Sequence, residues 1–524
     1  MKILYVNPAR LSSGLDAIIK GPPLNLISIA AMVPEHEAEL FDFKVHKYNE
    51  NKFRSLLNQS DVVALTSMTP QISHAFEVAE MAKDLGCTTI IGGYQPTLAP
   101  EYVAKHPAID YTVRGEGEHT FRELISYLDE AKNHISLKDI DGISYKNKDG
   151  QVLHNKDRKL EPNLDKFPMP RRDLLDDKKY IYLGARVAQL ETSRGCPHNC
   201  KFCCIIKMWR NNDRPVTYRT KSTKRIMQEI YDIDWKNDFI FFCEDNFTIK
   251  IKRTKEILDT IIRSGVPNKI YFSCQSRVDT LYRNPWLIDL MHKAGIRQVF
   301  LGIESMHQQS LDAMNKRNTK PDMVKKVVSS LQNRGISIFG GVIIGFPGET
   351  KTMVRENIQF AKSLNLTCIQ FTPITAFPGT DFYHEMSEKS MITSNNYRYY
   401  DLFHPMMRTE QLTNNEIYQL VGEAYSAYYL KGWIKMVAKR YCNPFGKFNW
   451  MGRNVPRFAK TVIKSGLDML HSMGMTKDII SDEMKEIMER GIKSKTIRRP
   501  DASNNRINPL ILTEKVETQI KSIN

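Results

Sequence analysis

Four of the nine cysteines of this chain lie close together in the stretch RGCPHNCKFCC at 194–204. Cys196, Cys200 and Cys203 have the spacing CxxxCxxC, and so few cysteines in a long chain rarely cluster by chance. Three thiolates can bind three irons of a [4Fe-4S] cluster and leave the fourth iron open to an outside ligand. The spacing therefore points to a metal centre with one position free for chemistry.

Two other interpretations of the cysteines are considered. A disulfide framework fits poorly, because the total of nine is odd and a reducing, cytosolic environment is expected. A structural zinc site needs four ligands, and His198 or Cys204 could complete such a set, so the residues alone leave zinc open. For Cys204 we favour a core thiol, because free cysteines are commonly buried.

Charged and polar residues follow the apolar runs downstream of the cysteines. Glu244 and Asp245 come after FIFF, Ser276 ends the run KIYFSCQS and Arg277 follows it, and Glu304 ends QVFLGIE. The carboxyl ends of parallel strands meet at one edge of a sheet, so these side chains are expected to face a shared ligand. The arginine fork suits a carboxylate.

Apolar runs alternate with helical patterns over residues 1–145, which predicts a Rossmann-like domain with a doubly wound parallel sheet. Residues 146–185 read as a hairpin and a linker, because they are polar and contain prolines. A second α/β series over 186–400 predicts a partial or full (β/α) barrel. Residues 401–524 are basic with a helical apolar pattern. The predicted first-domain strands lie at 2–6, 38–43, 61–67, 88–93 and 110–115, with a helix at 74–85.

The central series resembles the radical SAM superfamily. Its signature is CxxxCxxC with an aromatic before the last cysteine, as Phe202 is here, and GGVIIGFPGET (340–350) and FTPITAFPGTDFY (371–383) resemble later elements. The resemblance implies that S-adenosylmethionine (SAM) binds the open iron and that one electron from the cluster cleaves it to a 5′-deoxyadenosyl radical. It further implies that Glu244 and Asp245 hold the SAM amino group and that Glu304 lies near its ribose. Ser276 and Arg277 come from the next strand, and Arg277 is expected to bind the SAM carboxylate through its fork.

The first domain resembles the B12-binding radical SAM proteins, the group that includes the anaerobic magnesium-protoporphyrin cyclase and lipid-modifying enzymes. The matching segments are VVALTSMTPQ (62–71), IIGGYQPT (90–97) and VRGEGEHTFREL (113–124). The resemblance implies cobalamin at the carboxyl edge of the sheet, where Thr66, Ser67, Gly92 and Gly93 are expected, with Gly115 at the same edge.

Two sequence motifs that are missing here bear on the cofactor of this domain. The DxHxxG motif of many cobalamin proteins is missing, because His46 stands two positions too late after Asp42. An inherited domain that shapes the substrate cavity is therefore an alternative. A dinucleotide is not expected, because the first strand is followed by NPARLSSG rather than GxGxxG.

The formal net charge of +16 favours an anionic partner or surface but does not choose among them. The first residues read as a strand, and no apolar run is long enough to span a membrane, so we expect a cytoplasmic protein. The segment 425–464 mixes aromatics with Lys and Arg. It either contacts a membrane surface peripherally or packs on the barrel mouth.

The sequence therefore predicts a radical SAM enzyme, with a [4Fe-4S] cluster, SAM and cobalamin, that abstracts hydrogen from an unactivated carbon of a hydrophobic, lipid-type substrate. Methylation and ring or C–C bond formation both remain open. An external electron donor is implied, and nucleic acid is not expected. The alternatives are a non-catalytic, membrane-associated metal-binding adaptor and a radical SAM enzyme that modifies RNA.

Overall fold

The structure, a computed structural model, describes residues 1–9, 19–129, 135–182, 185–209, 218–233, 239–316 and 319–430. Two large sheets, each covered by helices, and one two-stranded ribbon organise these residues. The predicted α/β class is confirmed.

Seven strands form the first sheet, in the order β3-β1-β4-β5-β6-β7-β8. The strands β1 to β6 in this sheet pair in parallel, whereas β7 and β8 are an antiparallel hairpin that extends it. The strands of this part of the chain are β1 Lys2–Asn7, β2 Ile19–Lys20, β3 Glu37–Asp42, β4 Val62–Thr66, β5 Thr88–Gly92, β6 Tyr111–Val113, β7 Ile143–Lys146 and β8 Val152–His154.

Helices cover both faces of this sheet because its strands are apolar on both sides. In β1, for example, Leu4 and Val6 pack into one core cluster, while Ile3 and Tyr5 pack into the other. The helices are α1 Leu24–Ala30, α2 Glu50–Asn58, α3 Ile72–Asp84, α4 Tyr94–Leu98, α5 Pro100–Ala104 and α6 Gly117–Leu128.

The chain order of this sheet reverses at the neighbouring strands β1 and β4. In a doubly wound sheet the ligand crevice lies outside the carboxyl ends of the strands at such a switch point. The crevice of the first domain is therefore expected beside Asn7 and Thr66, the last residues of these two strands.

The second sheet has the order β17-β16-β15-β14-β13-β10-β9-β2. The strands from β10 to β17 in it are parallel, and the sheet has two open ends, so the barrel is partial. Strand β2, from the first part of the chain, completes one end through β9. The strands are β9 Ile181–Tyr182, β10 Ala185–Leu190, β11 Ser193–Arg194, β12 Arg219–Thr220, β13 Phe239–Phe242, β14 Tyr271–Ser276, β15 Ile296–Glu304, β16 Ser337–Ile344 and β17 Cys368–Pro373.

Most helices of the second half, namely α8 to α11, α13, α14 and α16, pack their apolar faces against this sheet. In α9, for example, Ile257, Leu258 and Ile261 are fully buried in the barrel core. The helices are α7 Cys204–Trp209, α8 Thr223–Asp232, α9 Ile251–Arg263, α10 Val278–Arg283, α11 Pro285–Lys293, α12 Gln308–Ala313, α13 Pro321–Asn333, α14 Lys351–Ser363, α15 Asp381–Glu388 and α16 Asn414–Tyr425.

The segment between α15 and α16 joins the two halves. Tyr397, Tyr399 and Tyr400 pack into the core of the first domain, whereas Phe403 packs into the barrel core. Of the predicted basic helical region 401–524, the structure describes residues 401–430, which include α16; the rest of this region, and the part of its segment 425–464 beyond residue 430, lie outside the described residues. Within the described part of the chain, no helix has the length and apolarity needed to cross a bilayer.

Candidate functional site

The cysteine cluster lies in a loop that starts at β11 and returns at β12, which pair as a short antiparallel ribbon. Gly195 opens the loop with a φ of 90°, a conformation that glycine adopts without strain. The Lys201 amide donates to the carbonyl of Met314 at 3.2 Å. Phe202 packs with Met314 and Phe346 at the end of the barrel. The aromatic residue of the signature thus anchors the loop on the sheet.

The three cysteines of the loop are free and mostly enclosed. Cys200 is buried, and Cys196 and Cys203 are partly exposed. Burial raises the pKa of both Cys196 and Cys203, with a smaller contribution from the Asp245 carboxylate. Among the described residues, no three His, Cys, Asp or Glu side chains converge on a single-ion site. The thiolates of a [4Fe-4S] cluster bind different irons, so they need not converge on one point.

Glu244 and Asp245 follow β13 and face different partners. The Glu244 carboxylate accepts hydrogen bonds from the Thr192 hydroxyl and from the Thr192 amide, the latter at 3.3 Å. The Asp245 carboxyl lies close enough to Cys196, Cys203 and Cys204 to act on their pKa values. Burial, with help from nearby carboxylates, raises the pKa of Asp245 to about 7. Of this pair, it is therefore Asp245 that faces the cluster loop.

Arg277 follows β14 and lies beside the cysteine loop. Its Nε donates to Asp279 at 2.9 Å, and the Cys200 and Cys196 thiols lie within electrostatic range. Ser276 instead shares a 2.6 Å hydrogen bond with the Thr248 hydroxyl. Of these two predicted residues, Arg277 is the one that the structure brings to the cysteines.

Glu304 ends β15 at an irregularity in the pairing with β16 and has a φ of 61°, which is uncommon for a residue with a side chain. Its carboxylate is paired with the Lys316 ammonium, which also donates to the carbonyl of Gly302 at 3.2 Å. Lys316 and Arg277 both lower the pKa of His198 in the cysteine loop, after the larger effect of burial. Glu304 thus lies at the same edge of the sheet as the loop.

The four predicted residues of the first domain meet at the carboxyl ends of β4 and β5. The Ser67 amide donates to the carbonyl of Gly92 at 2.9 Å, and the Asn25 amide donates to the Thr66 hydroxyl at 2.6 Å. Gly93 has a φ of 109° and a ψ of −160°, and a Cβ there would lie 2.9 Å from the carbonyl oxygen of Ser67. The backbone here approaches too closely for any side chain at Gly93.

His46 lies in the turn that follows β3, and its Nδ1 accepts a hydrogen bond from the Asp42 amide at 2.9 Å. One imidazole nitrogen is therefore already used within its own turn.

The crevice of the first domain adjoins the cysteine loop. Helix α4 begins directly after Gly93 and packs on α7, which begins at Cys204. Burial raises the pKa of Tyr94 well above its usual range, and Asp245, Cys204 and Cys203 add to the effect. Tyr94 is a residue that sequence reasoning missed, although the segment IIGGYQPT was singled out. It reaches from the first domain to the cluster side of the barrel.

Comparisons with known proteins agree with this arrangement. Residues 190–361 match the Radical SAM superfamily, and residues 19–125 match the B12 binding domain. An uncharacterized methyltransferase, PH0819 of Pyrococcus horikoshii, is 33% identical over 445 residues, which is 82% of this chain and 93% of the relative. The chain belongs to the radical SAM enzymes with a B12-binding domain.

Other members of this family are similar over most of their length. The anaerobic magnesium-protoporphyrin IX monomethyl ester cyclase of Rubrivivax gelatinosus is 26% identical over 89% of this chain and 83% of the relative. The hopanoid C-3 methylase of Methylococcus capsulatus is 26% identical over 83% of this chain and 81% of the relative. The cobalamin-dependent radical enzyme OxsB shares the fold, with a TM-score of 0.67 at 17% identity over 99% of this chain and 80% of that one.

As a B12-binding radical SAM enzyme the protein uses a [4Fe-4S] cluster, SAM and cobalamin, and the expected enzyme class, a methyltransferase or cyclase, is confirmed. The residues fit these groups: three thiols share one loop, and a close-packed glycine shapes the crevice next to it. When bound, the cluster with SAM supplies hydrogen abstraction from an unactivated carbon, and cobalamin supplies a methyl carrier. The chain's own residues anchor the loop, place charge beside it and bring the two sites together.

Proposed function

We propose that this protein methylates an unactivated carbon of a hydrophobic, lipid-type substrate. The observation that carries the proposal is the packing of α4 on α7, which brings the crevice of the first domain next to the cysteine loop. A carbon held between these sites is within reach of both hydrogen abstraction and a methyl carrier. The hopanoid methylases among its relatives act on lipids, and the similar PH0819 protein is described as a methyltransferase.

In this proposal Cys196, Cys200 and Cys203 bind the cluster. Asp245 faces the loop and takes the SAM amino group, while Glu244 fixes the backbone at Thr192 and thereby orients Asp245. A carboxyl group beside this amino group can accept a hydrogen bond from its N–H and so orient it.

At the same edge Arg277 binds the SAM carboxylate, with Asp279 orienting its guanidinium. Ser276 supports this strand end through Thr248, and Glu304 with Lys316 lines the ribose side. In the first domain the crevice formed by Thr66, Ser67, Gly92 and Gly93 holds cobalamin.

Replacing Arg277 by alanine tests the carboxylate assignment. We expect the KM for SAM, measured from 5′-deoxyadenosine formation under reducing anaerobic conditions, to rise by about 10- to 100-fold, because a charge-assisted hydrogen bond is lost. Arg297→Ala is the matched control. Arg297 lies near the amino end of β15, at the sheet edge opposite to the one that carries Arg277, and its guanidinium lies over the ring of Tyr271. An unchanged KM in Arg277→Ala, or an equal rise in both variants, would contradict the assignment.

The substrate proposal is tested by lipid mass spectrometry of anaerobic cells that express the wild-type protein or Cys200→Ala. We expect a lipid with one added methyl group in the wild type alone, carrying the label when methyl-labelled methionine is supplied. A product that has lost two hydrogens and gained no label would instead identify ring closure. If the lipids of the two strains do not differ, the assignment of a lipid substrate is wrong.

The proposed reaction also needs an external one-electron donor, which reduces the cluster as radical SAM chemistry requires. Of the basic, aromatic segment 425–464, Tyr425 and Tyr428 are buried in the barrel core, and the part beyond residue 430 contacts a membrane surface peripherally and so brings the enzyme to a lipid substrate. Vesicle sedimentation with and without anionic lipid measures this contact, and equal sedimentation with both would reject it.

A further inference from the structure

Two arginines face each other at the base of the cysteine loop. Strands β11 and β12 pair so that Arg194 lies opposite Arg219, and the cluster cysteines all lie in the chain between them. Both guanidinium groups also lie over the ring of Trp209 in α7, each 5.6 Å from its centroid. A side chain that binds both arginines therefore holds the two ends of the cysteine loop together.

One carboxylate from the first domain binds both arginines. Glu116 Oε1 accepts from Arg194 Nη1 at 2.5 Å and from Arg219 Nη1 at 2.9 Å, and its Oε2 lies 3.0 Å from the same Arg219 nitrogen. Oε2 also accepts from the Glu161 amide at 2.9 Å. The three side chains are buried, with exposed fractions of 10% for Arg194, 6% for Arg219 and 4% for Glu116.

The other carboxylates nearby do not have this double role. Glu118 and Glu191 contact Arg194 alone, at 2.6 and 2.7 Å. Arg219 has the carbonyl of Glu161 at 2.7 Å as its further partner, while its Nε and Nη2 have no partner among the described residues. Loss of the Glu116 charge therefore leaves the buried Arg219 without its hydrogen-bonded carboxylate and facing another guanidinium, which repels it.

Glu116 is also fixed to the edge of the first sheet. It immediately precedes α6 and follows β6, the strand next to β5, whose end carries Gly92 and Gly93. The motif VRGEGE thus runs from the proposed cobalamin crevice to the base of the cluster loop.

We infer that Glu116 is a positioning residue that locks the cluster loop to the cobalamin-binding domain and thereby fixes the separation of the two cofactors. The inference rests on the cofactors of the family and on the crevice proposed above for cobalamin, but not on the proposed substrate or reaction outcome. Its test needs no substrate, so it can fail while the substrate proposal stands.

The test compares Glu116→Gln, which keeps the shape but removes the charge, with Glu118→Gln as the matched control. The cob(II)alamin EPR signal relaxes faster when a reduced, paramagnetic cluster lies near, so its microwave power saturation reports the separation of the two centres. We expect Glu116→Gln to retain cobalamin but to show slower relaxation, and its SAM cleavage to fall by about 10- to 100-fold, as misplacement of reacting groups predicts. Glu118→Gln should resemble the wild type in relaxation.

Glu116→Asp is measured in parallel, because it keeps the charge and withdraws it by one methylene group. We expect it to fold and to give a relaxation rate between those of the wild type and Glu116→Gln, which a merely structural role would not produce. Wild-type relaxation in folded Glu116→Asp and Glu116→Gln would overturn the inference. Equal loss of both cofactors in Glu116→Gln and Glu118→Gln would overturn it as well.

Discussion

Replacing Cys200 by alanine is expected to abolish formation of 5′-deoxyadenosine from SAM and to remove most of the bound iron. Cys200 is a buried thiol of the CxxxCxxC loop, and a cluster with an already open iron has no further ligand to spare. Anaerobic reconstitution, iron and sulfide analysis, and product chromatography after chemical reduction measure the two effects.

Cys204→Ala is the control for this prediction. Cys204 is adjacent in sequence and begins α7, where burial raises the pKa of its thiol to about 11, as suits a neutral packed side chain. We expect this variant to keep its iron and its SAM cleavage within about threefold of the wild type, because Cys→Ala at a packing position changes little volume. Iron retained by Cys200→Ala, or equal losses in both variants, would refute the assignment of the three ligands.

Replacing Gly93 by alanine is expected to cost about 3 kcal/mol of unfolding free energy and to weaken cobalamin binding by about tenfold or more. The φ of 109° with a ψ of −160° lies in a region that residues with side chains rarely occupy. The new Cβ would meet the Ser67 carbonyl oxygen at 2.9 Å and the Thr66 hydroxyl at 3.1 Å. Either the α4 start or the β4 end must move, and both border the proposed crevice.

Gly86→Ala is the control for this prediction, because it introduces backbone strain without a steric contact of the new Cβ. Gly86 precedes β5 at the other end of the strand, has a φ of 82°, and has no atom within 4 Å of a Cβ built there. We expect a cost of about 1–2 kcal/mol from the left-handed conformation and unchanged cobalamin content. Thermal unfolding and corrinoid absorbance check both variants, and unchanged corrinoid content in Gly93→Ala would speak against a crevice at this edge.

Much of the fold could be predicted because apolar strand runs carry their own signal. Buried parallel strands such as KILYV and DVVALTS are continuous apolar runs, and all five predicted in the first domain form within a residue or two. The helix predicted at 74–85 spans Ile72–Asp84. Strand order, in contrast, depends on long-range packing, so the joining of β2 to the second sheet through β9 had no local signal.

Some residues of the candidate site could likewise be predicted from the sequence, whereas others could not. Residues that follow strands were found because the carboxyl edge of a parallel sheet is known in advance. The ion pairs across the domains were missed, although Glu116 and Glu118 in VRGEGE and Arg194 in RGC were in quoted segments. Charge pairing over 76 or more positions leaves no periodic trace in a single sequence. Which acidic residue faces the cluster loop was likewise decided only by the structure, from the bond of Glu244 to Thr192 and from the closeness of Asp245 to the cysteines.

The central claim is that three cysteines leave one iron of the cluster open for SAM. EPR spectroscopy of the anaerobically reconstituted, reduced protein before and after addition of SAM tests it most directly, because a ligand on the open iron changes the electronic environment of the cluster. We predict a [4Fe-4S] signal that shifts on addition of SAM. A cluster signal that SAM leaves unchanged, or a protein that binds zinc and no iron, would contradict the account.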